Sequence, residues 1–384
     1  MIQVVSHSHL QDVGLVQVRT NPLPGRFPVG VCHYHAIDAT RMDEQDRVPR
    51  QFMVSAFYPA EAREGAVGAR LVDIFEPAVT EALEYLTDDL ESETKEELLR
   101  KLRSIELQSA RSSPPEHSAA PYPVLIYYPA GGCNRFANAD VCEALASHGY
   151  VVLAMDGPHD ASLVVFPDGQ LCKGPLQGDY ISPGVGDVGY LLGQLDELNG
   201  EGILSRMIDT KRVGIFGHSR GGYIANISAF LNEQVKAAVS IDSFLWGYMS
   251  EGTGLEKHPL DFQAKVRSMS KPLLRLCGRP DGTDPQKEAE FCLKRDGGDF
   301  IGDFSVVAFP GWSHSDFMTT PWSCGKGYDL VANQSRVRAD AAETLTDILT
   351  TFFDSRLRGA DTDQLHGCIR RHPALGVATQ AAMK

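Results

Sequence analysis

The sequence predicts an α/β fold, a single domain with a mostly parallel central sheet and helices on both of its faces. Three observations carry this. Short continuous apolar runs, at residues 124–128 and 151–155 for example, are bounded by turn residues, as expected of strands buried on both faces. Helical patterns alternate with these runs from residue 124 onward. Residues 213–216 lead through Gly217-His218-Ser219-Arg220-Gly221 into a helical stretch from Tyr223 to Phe230, giving strand, sharp turn and helix in succession.

Taken in order, residues 14–19 give a short strand, and Asn21-Pro-Leu-Pro-Gly25 is turn material. Residues 29–39 and 50–58 are rich in β-forming residues and read as an antiparallel pair joined across the charged stretch 41–47. Ile74, Phe75, Val79, Leu83 and Leu86 then mark one apolar helical face. Thr94-x-x-Glu97 reads as a capping box opening a second helix with Leu98, Leu99, Leu102 and Ile105. Residues 71–110 thus form a helical, lid-like insertion; packing on the body and covering a site on the sheet both fit the pattern.

A linker rich in Ser and Pro, 112–123, returns the chain to strand 124–128. After Pro129-Ala-Gly-Gly-Cys133 comes a helix with Asn138 as its expected cap, ending near Gly149. Strand 151–155 and helix 187–198 precede the serine turn. Strands at 237–241, 273–277 and 305–309 and a last helix at 339–357 follow it. No internal repeat and no second core is visible, so 1–384 reads as one domain, with 360–384 as a mobile or partner-contacting tail.

At 384 residues the chain can bury a sizeable core. A net charge of −14 argues against nucleic acid and against an anionic membrane surface. No run of about 18 apolar residues is present, so no transmembrane segment is expected, and the amino terminus lacks the pattern of a signal peptide. The eight cysteines are scattered without a Cys-x-x-Cys pair, which predicts neither a zinc site nor a disulfide framework. They read as reduced, and the protein as cytoplasmic. No cofactor and no metal is expected, and a homodimer is an admissible assembly.

The turn at Ser219 carries the chemistry. A serine on a sharp strand-to-helix turn is held in a strained backbone conformation with its oxygen exposed. It needs a base, and the base an orienting acid. In α/β-hydrolases the chain order is serine, acid, histidine, each just past the carboxyl end of its own strand. His314, in Gly311-Trp-Ser-His314, directly follows the last core strand and is the base by position; His218, inside the turn, reads as structural. For the acid, Asp242 follows strand 237–241, whereas Asp281 and Asp284 follow strand 273–277, and both placements can deliver a carboxylate. An oxyanion hole needs two converging N–H groups. One is that of Arg220, after the serine, and the other comes from the Ala130-Gly131-Gly132 loop. Trp246, Trp312 and Phe317 are candidates for lining a substrate pocket.

Over roughly residues 27–357 the chain resembles the plasma-type platelet-activating factor acetylhydrolases. The residues concerned are Gly217-His-Ser-Arg-Gly-Gly222, Ile241-Asp-Ser-Phe244 with its aspartate 23 residues after Ser219, Gly311-Trp-Ser-His314, the stretch 144–152 and Pro158-His-Asp-Ala-Ser162. The resemblance implies Asp242 as the acid and Gly131 as the oxyanion donor. Here Pro129-Ala-Gly-Gly132 replaces the family's usual His-Gly-x-Gly, which bears on acyl preference. The serine turn is also similar to that of chlorophyllases and cutinase-like esterases.

The expected function is a metal-independent serine hydrolase of carboxylic esters, with a short or modified acyl group on a lipid-like or polycyclic small molecule. Alternatives are a tailoring hydrolase or lactonase in secondary metabolism, and a lapsed, ligand-binding homologue. A dinucleotide-binding redox protein is excluded, because no Gly-x-Gly-x-x-Gly follows a first strand.

Overall fold

Tyr122 to Tyr128 form an uninterrupted, fully buried strand near the middle of the sheet. The computed structural model describes residues 1–5, 18–19, 22–89, 91–175, 178–243, 270–297, 300–320 and 340–381. Its strands are β1 (Ile2–Val5), β2 (Val18–Arg19), β3 (Val29–Met42), β4 (Pro49–Pro59), β5 (Gly68–Arg70), β6 (Ile105–Arg111), β7 (Tyr122–Tyr128) and β8 (Val151–Met155). Then come β9 (Leu163–Val165), β10 (Leu171–Lys173), β11 (Ile208–His218), β12 (Val235–Ile241), β13 (Leu273–Arg279), β14 (Phe304–Pro310) and β15 (Gly376–Gln380). The helices are α1 (Val79–Leu86), α2 (Ser92–Ser104), α3 (Ala139–Ser147), α4 (Ile181–Gly193), α5 (Leu195–Gly200), α6 (Arg220–Leu231), α7 (Pro285–Gly297), α8 (Ala341–Leu357) and α9 (Gln364–Ile369).

Among the described residues one large sheet runs in the order β15-β14-β13-β12-β11-β7-β8-β4-β3-β6-β2, while β9 and β10 pair apart. From β8 to β14 every neighbouring pair is parallel. The strands that turn antiparallel, β4 and β3 on one side and β15 on the other, lie outside this central block. Two buried apolar clusters cover the two faces. Residues of α3 and α8 dominate one, and residues of α4, α5 and α6 the other. This is the predicted parallel sheet with helices on both sides.

Four expectations change. Residues 71–110 are not all helix: a 3-10 turn (Leu71–Phe75), α1 and α2 are followed by β6, which joins the sheet beside β3. Leu83, Leu86, Leu98 and Leu102 are buried in the same cluster as the sheet, so the apolar faces pack on the body. The second of these helices starts at Ser92, ahead of the Thr94 capping pattern. The tail is ordered into the fold, because α9 buries Leu365 and Ile369 and β15 extends the sheet along β14. The predicted helix 187–198 begins earlier, at Ile181, and is divided into α4 and α5.

Cys133 is disulfide-bonded. Cys32, Cys142, Cys172, Cys277, Cys292 and Cys368 are free and buried. The cysteine set is therefore not wholly reduced, which removes the ground on which the cytoplasmic placement rested. Among the described residues no helix is long and apolar enough to cross a membrane.

Candidate active site

β11 ends at His218 and α6 begins at Arg220, leaving Ser219 alone between them at φ 55° and ψ −120°. A non-glycine residue pays for such a conformation with about 1–3 kcal/mol of strain, tolerated where the surroundings fix it. The Ser219 N–H donates to Ile241 O at 2.9 Å, tying the turn to β12. A Cβ on Gly221 would overlap the carbonyl oxygens of Tyr128 and Pro129, so α6 presses directly on the end of β7. One on Gly217 would overlap the backbone of Gly221. Both glycines are needed for close approach, as the motif predicts.

The register of the sheet positions Asp242, the acid that the resemblance implies. His218 pairs with Ile241, so Ser219 and Asp242 leave β11 and β12 side by side. Asp242 also has a positive φ of 42°, and its N–H donates to Leu276 O of β13 at 2.7 Å. Its Oδ1 accepts the Gly278 N–H at 2.9 Å, and its Oδ2 lies 2.5 Å from Nδ1 of His314. Burial alone would raise this carboxyl. The hydrogen bonds from His314 and Gly278 outweigh it and hold the group below the ordinary carboxylate range.

His314 opens a 3-10 turn, His314–Phe317, after β14. Asp316 Oδ2 accepts from the N–H and Oγ of Ser313 at 2.5 and 2.8 Å, fixing the start of that turn. Asn138 stands at the N-cap of α3, as expected, but its side chain spans the structure: its Nδ2 donates to Phe317 O at 2.8 Å and its Oδ1 accepts from Tyr127 Oη at 2.7 Å. With Nδ1 turned to Asp242, Nε2 is the nitrogen left for a serine. The His218 ring, fully buried, lies 4.6 Å from that of His314, centroid to centroid. Burial, and then the neighbouring His314, push its pKa down to about 3. It is a neutral ring packed beside His314, a contact its place in the motif did not reveal.

The rival carboxylates serve turns. Asp281 Oδ1 accepts from the Gly282 N–H at 2.9 Å, and Asp284 Oδ1 accepts from the N–H groups of Gln286 and Lys287, each at 3.0 Å, capping α7. Arg279 pairs with Glu288 at 2.5 Å rather than with either.

In the loop after β7, the Gly132 N–H is taken by Asp160 O at 3.0 Å, whereas those of Gly131 and Arg220 have no acceptor among the described residues. The two expected oxyanion donors are thus the unengaged ones. The aromatic expectations change. Phe317 is fully buried and Trp312 nearly so, their rings packed on Phe309 at 5.1 and 4.8 Å, so both serve the core instead of an open pocket. Trp246 lies outside the described residues. A cavity of about 540 Å³ lies elsewhere, between α1, α2 and β10, bordered by Glu84, Tyr85, Lys95, Arg103 and Lys173.

Folding also gathers two groups of ligating side chains that sequence spacing did not show: Asp46, His159 and Cys172, and Asp347, Cys368 and His372. In the first, Asp46 and Asp43 meet Nε2 of His159 at 3.2 and 3.1 Å, while the Cys172 sulfur is nearer Nδ1 (3.5 Å) than Nε2 (3.9 Å). Within each group the ligand atoms lie within 4.8 Å of one another.

No family model matches the chain. A solved structure, the ferulic acid esterase from Streptomyces cinnamoneus, superposes with a TM-score of 0.71 at 24% identity, covering 94% of this chain and 99% of that one. The chain has the α/β-hydrolase fold. A curated relative, the probable 1-alkyl-2-acetylglycerophosphocholine esterase of Arthroderma benhamiae, is 25% identical over 235 residues. The match covers 58% of this chain and 58% of the relative, so the chain spans less than two thirds of that protein's length. The similarity is to an esterase of the platelet-activating factor type, as the motif residues implied.

Proposed function

We propose that the protein is a serine hydrolase of carboxylic esters, with Ser219 as nucleophile, His314 as base and Asp242 as the acid that orients it. The observation that carries this is the Asp242–His314 hydrogen bond, formed across two loops at the end of the sheet where Ser219 stands strained on its turn. In this reading His314 Nε2 takes the Ser219 proton as the oxygen attacks the ester carbonyl. The tetrahedral oxyanion is held by the N–H groups of Gly131 and Arg220, and the alkoxide leaves with the proton from His314. Water then attacks the acyl-enzyme with the same histidine as base. Each oxyanion donor of this kind typically contributes about 3–4 kcal/mol to the transition state.

The relative's name speaks of an acetyl ester on a glycerophospholipid, and the neighbour's of a ferulic acid ester. We favour the first substrate class for this chain, a short or modified acyl group on a lipid-like scaffold, because the motif resemblance covers the serine, acid and base loops together. Ser219→Ala should lower ester turnover by about 10³-fold or more and abolish labelling by a fluorophosphonate, with the melting temperature kept. Near-normal turnover in that variant would refute the hydrolase reading. Faster cleavage of feruloyl than of acetyl esters by the native protein would refute the substrate class alone.

A further inference from the structure

The mechanism above asks only for the backbone N–H of Arg220, yet its side chain is built into the same site. The guanidinium lies across the oxyanion loop: a Cβ on Gly131 would overlap Nη1 and stand 2.6 Å from Cζ. Nη1 is ion-paired with Asp160 Oδ1, and Cζ stands 4.9 Å over the ring of Tyr180. Asp160 is buried and belongs to the turn that grips the neighbouring glycine. Its carbonyl accepts the Gly132 N–H at 3.0 Å, and two residues on the Ser162 N–H and Oγ donate to Gly132 O at 3.2 and 2.6 Å. One turn thus holds Gly132 through the backbone and Arg220 through a carboxylate, with Gly131 between them.

A two-glycine loop has no side chain of its own to fix its donor and is conformationally permissive. The partner donor is rigid, at the first residue of α6. Without an outside clamp the two N–H groups would not keep a constant separation. We propose that Arg220 is a positioning residue: its guanidinium, ion-paired to Asp160, wedges Gly131 so that the two oxyanion donors stay in register. This rests on the ester-hydrolase reading and adds to it a side-chain role for the residue after the nucleophile.

Displacing a reacting group by about 1 Å can cost about 10²-fold in rate, so loss of the wedge should act on kcat. The test compares Arg220→Met, Arg220→Lys, Asp160→Asn and Arg220→Met/Asp160→Asn on one activated short-chain ester, with fluorophosphonate titration of active serines and melting temperatures. The expected result is a kcat at least about tenfold lower in Arg220→Met with KM within about threefold. Most of the loss should be recovered in Arg220→Lys, and Asp160→Asn should add less than about twofold to Arg220→Met. Should Arg220→Met not fold, Asp160→Asn alone must show the drop in kcat at unchanged KM. A kcat within twofold of the native value in Arg220→Met, with labelling intact, overturns the proposal and leaves the hydrolase reading standing. A rise in KM alone also overturns it, assigning the guanidinium to substrate binding. Retained turnover in Ser219→Ala overturns both.

Discussion

Asp242 divides its carboxylate between two strands' worth of loop: Oδ2 meets His314 Nδ1 at 2.5 Å and Oδ1 accepts the Gly278 N–H at 2.9 Å. One oxygen orients the histidine while the other is locked to the end of β13, so the imidazole is held in one tautomer by a group that is itself held. Asp242→Asn should therefore lower kcat by about 10⁴-fold with little change in stability. Asp281→Asn and Asp284→Asn keep an Oδ1 acceptor for the turn N–H groups, and should leave kcat within about twofold and stability within about 0.5 kcal/mol. Kinetics of the three variants at neutral pH decide this. A dead Asp281 or Asp284 variant beside an active Asp242 variant would displace the assignment.

Gly131 offers a second test. Its φ is not in the left-handed region, so backbone conformation alone would accept alanine. The added methyl instead meets the Arg220 guanidinium, which Asp160 and Tyr180 hold in place. Gly131→Ala should lower kcat by about tenfold through displacement of the loop, and Gly131→Pro, which deletes the donor, by about 10²- to 10³-fold. Steady-state kinetics of both, at matched active-serine counts, check the ordering. Equal mild losses would move the donor elsewhere.

The serine and the histidine were legible because their signal is local. Gly217-His-Ser-Arg-Gly221 sits between a strand pattern and a helix pattern, and His314 follows the last core strand. The acid was open on residues alone, since Asp242, Asp281 and Asp284 all follow strands; the 23-residue spacing of the resembled family pointed to Asp242, and its hydrogen bond to His314 supports that proposal. The Arg220–Asp160 pair was out of reach because it joins residues 60 apart in sequence through one turn. Likewise the disulfide at Cys133 leaves no trace in spacing, which does not report Cα distances. The strand Gly376–Gln380 was missed because its two β-forming residues, Val377 and Thr379, are too few and stand among Gly376, Ala378 and Gln380. Its place comes from an open sheet edge, a tertiary cause.

His218 predicts a pH dependence of stability. Its folded pKa is about 3, against an ordinary value near 6.5, because burial and the adjacent His314 oppose its charge. Between those values the unfolded chain binds a proton that the folded one does not. This residue therefore contributes a loss of stability as pH falls from about 6.5 toward 3, up to about 1.4 kcal/mol per pH unit. His218→Gln removes that term. Denaturant titrations should show the difference between variant and native protein moving in the variant's favour as pH drops from 6 to 4. A difference that stays constant across that interval would mean the ring is charged, or wet, in the folded state.

The carboxyl-terminal segment makes the last prediction. β15 lies antiparallel on β14 from Phe304–Gln380 to Ala308–Gly376, with Val377 and Ala378 buried. Gln380 Nε2 also donates to Phe300 O at 2.8 Å. β14 is the strand that ends in the His314 turn. Without β15 it would become an apolar, unpaired edge, the kind of surface that recruits other chains. α9 would also withdraw Leu365, Cys368 and Ile369 from the cluster they share with Phe352 and Phe353 of α8. Removal of residues 360–384 should lower the melting temperature by at least about 2 °C, the shift expected from a loss of about 2 kcal/mol in a chain of this size. It should also promote association and reduce ester turnover through the loosened His314 turn. A milder probe is Gly376→Ala, whose Cβ would overlap the Pro285 carbonyl at the start of α7 and stand 2.7 Å from Gln286 N; it should weaken the edge by about 1–3 kcal/mol. Calorimetry with light scattering on both variants reads the outcome. A truncated protein that stays monodisperse, melts with the native one and keeps its kcat would show that the strand is dispensable and that β14 needs no cover.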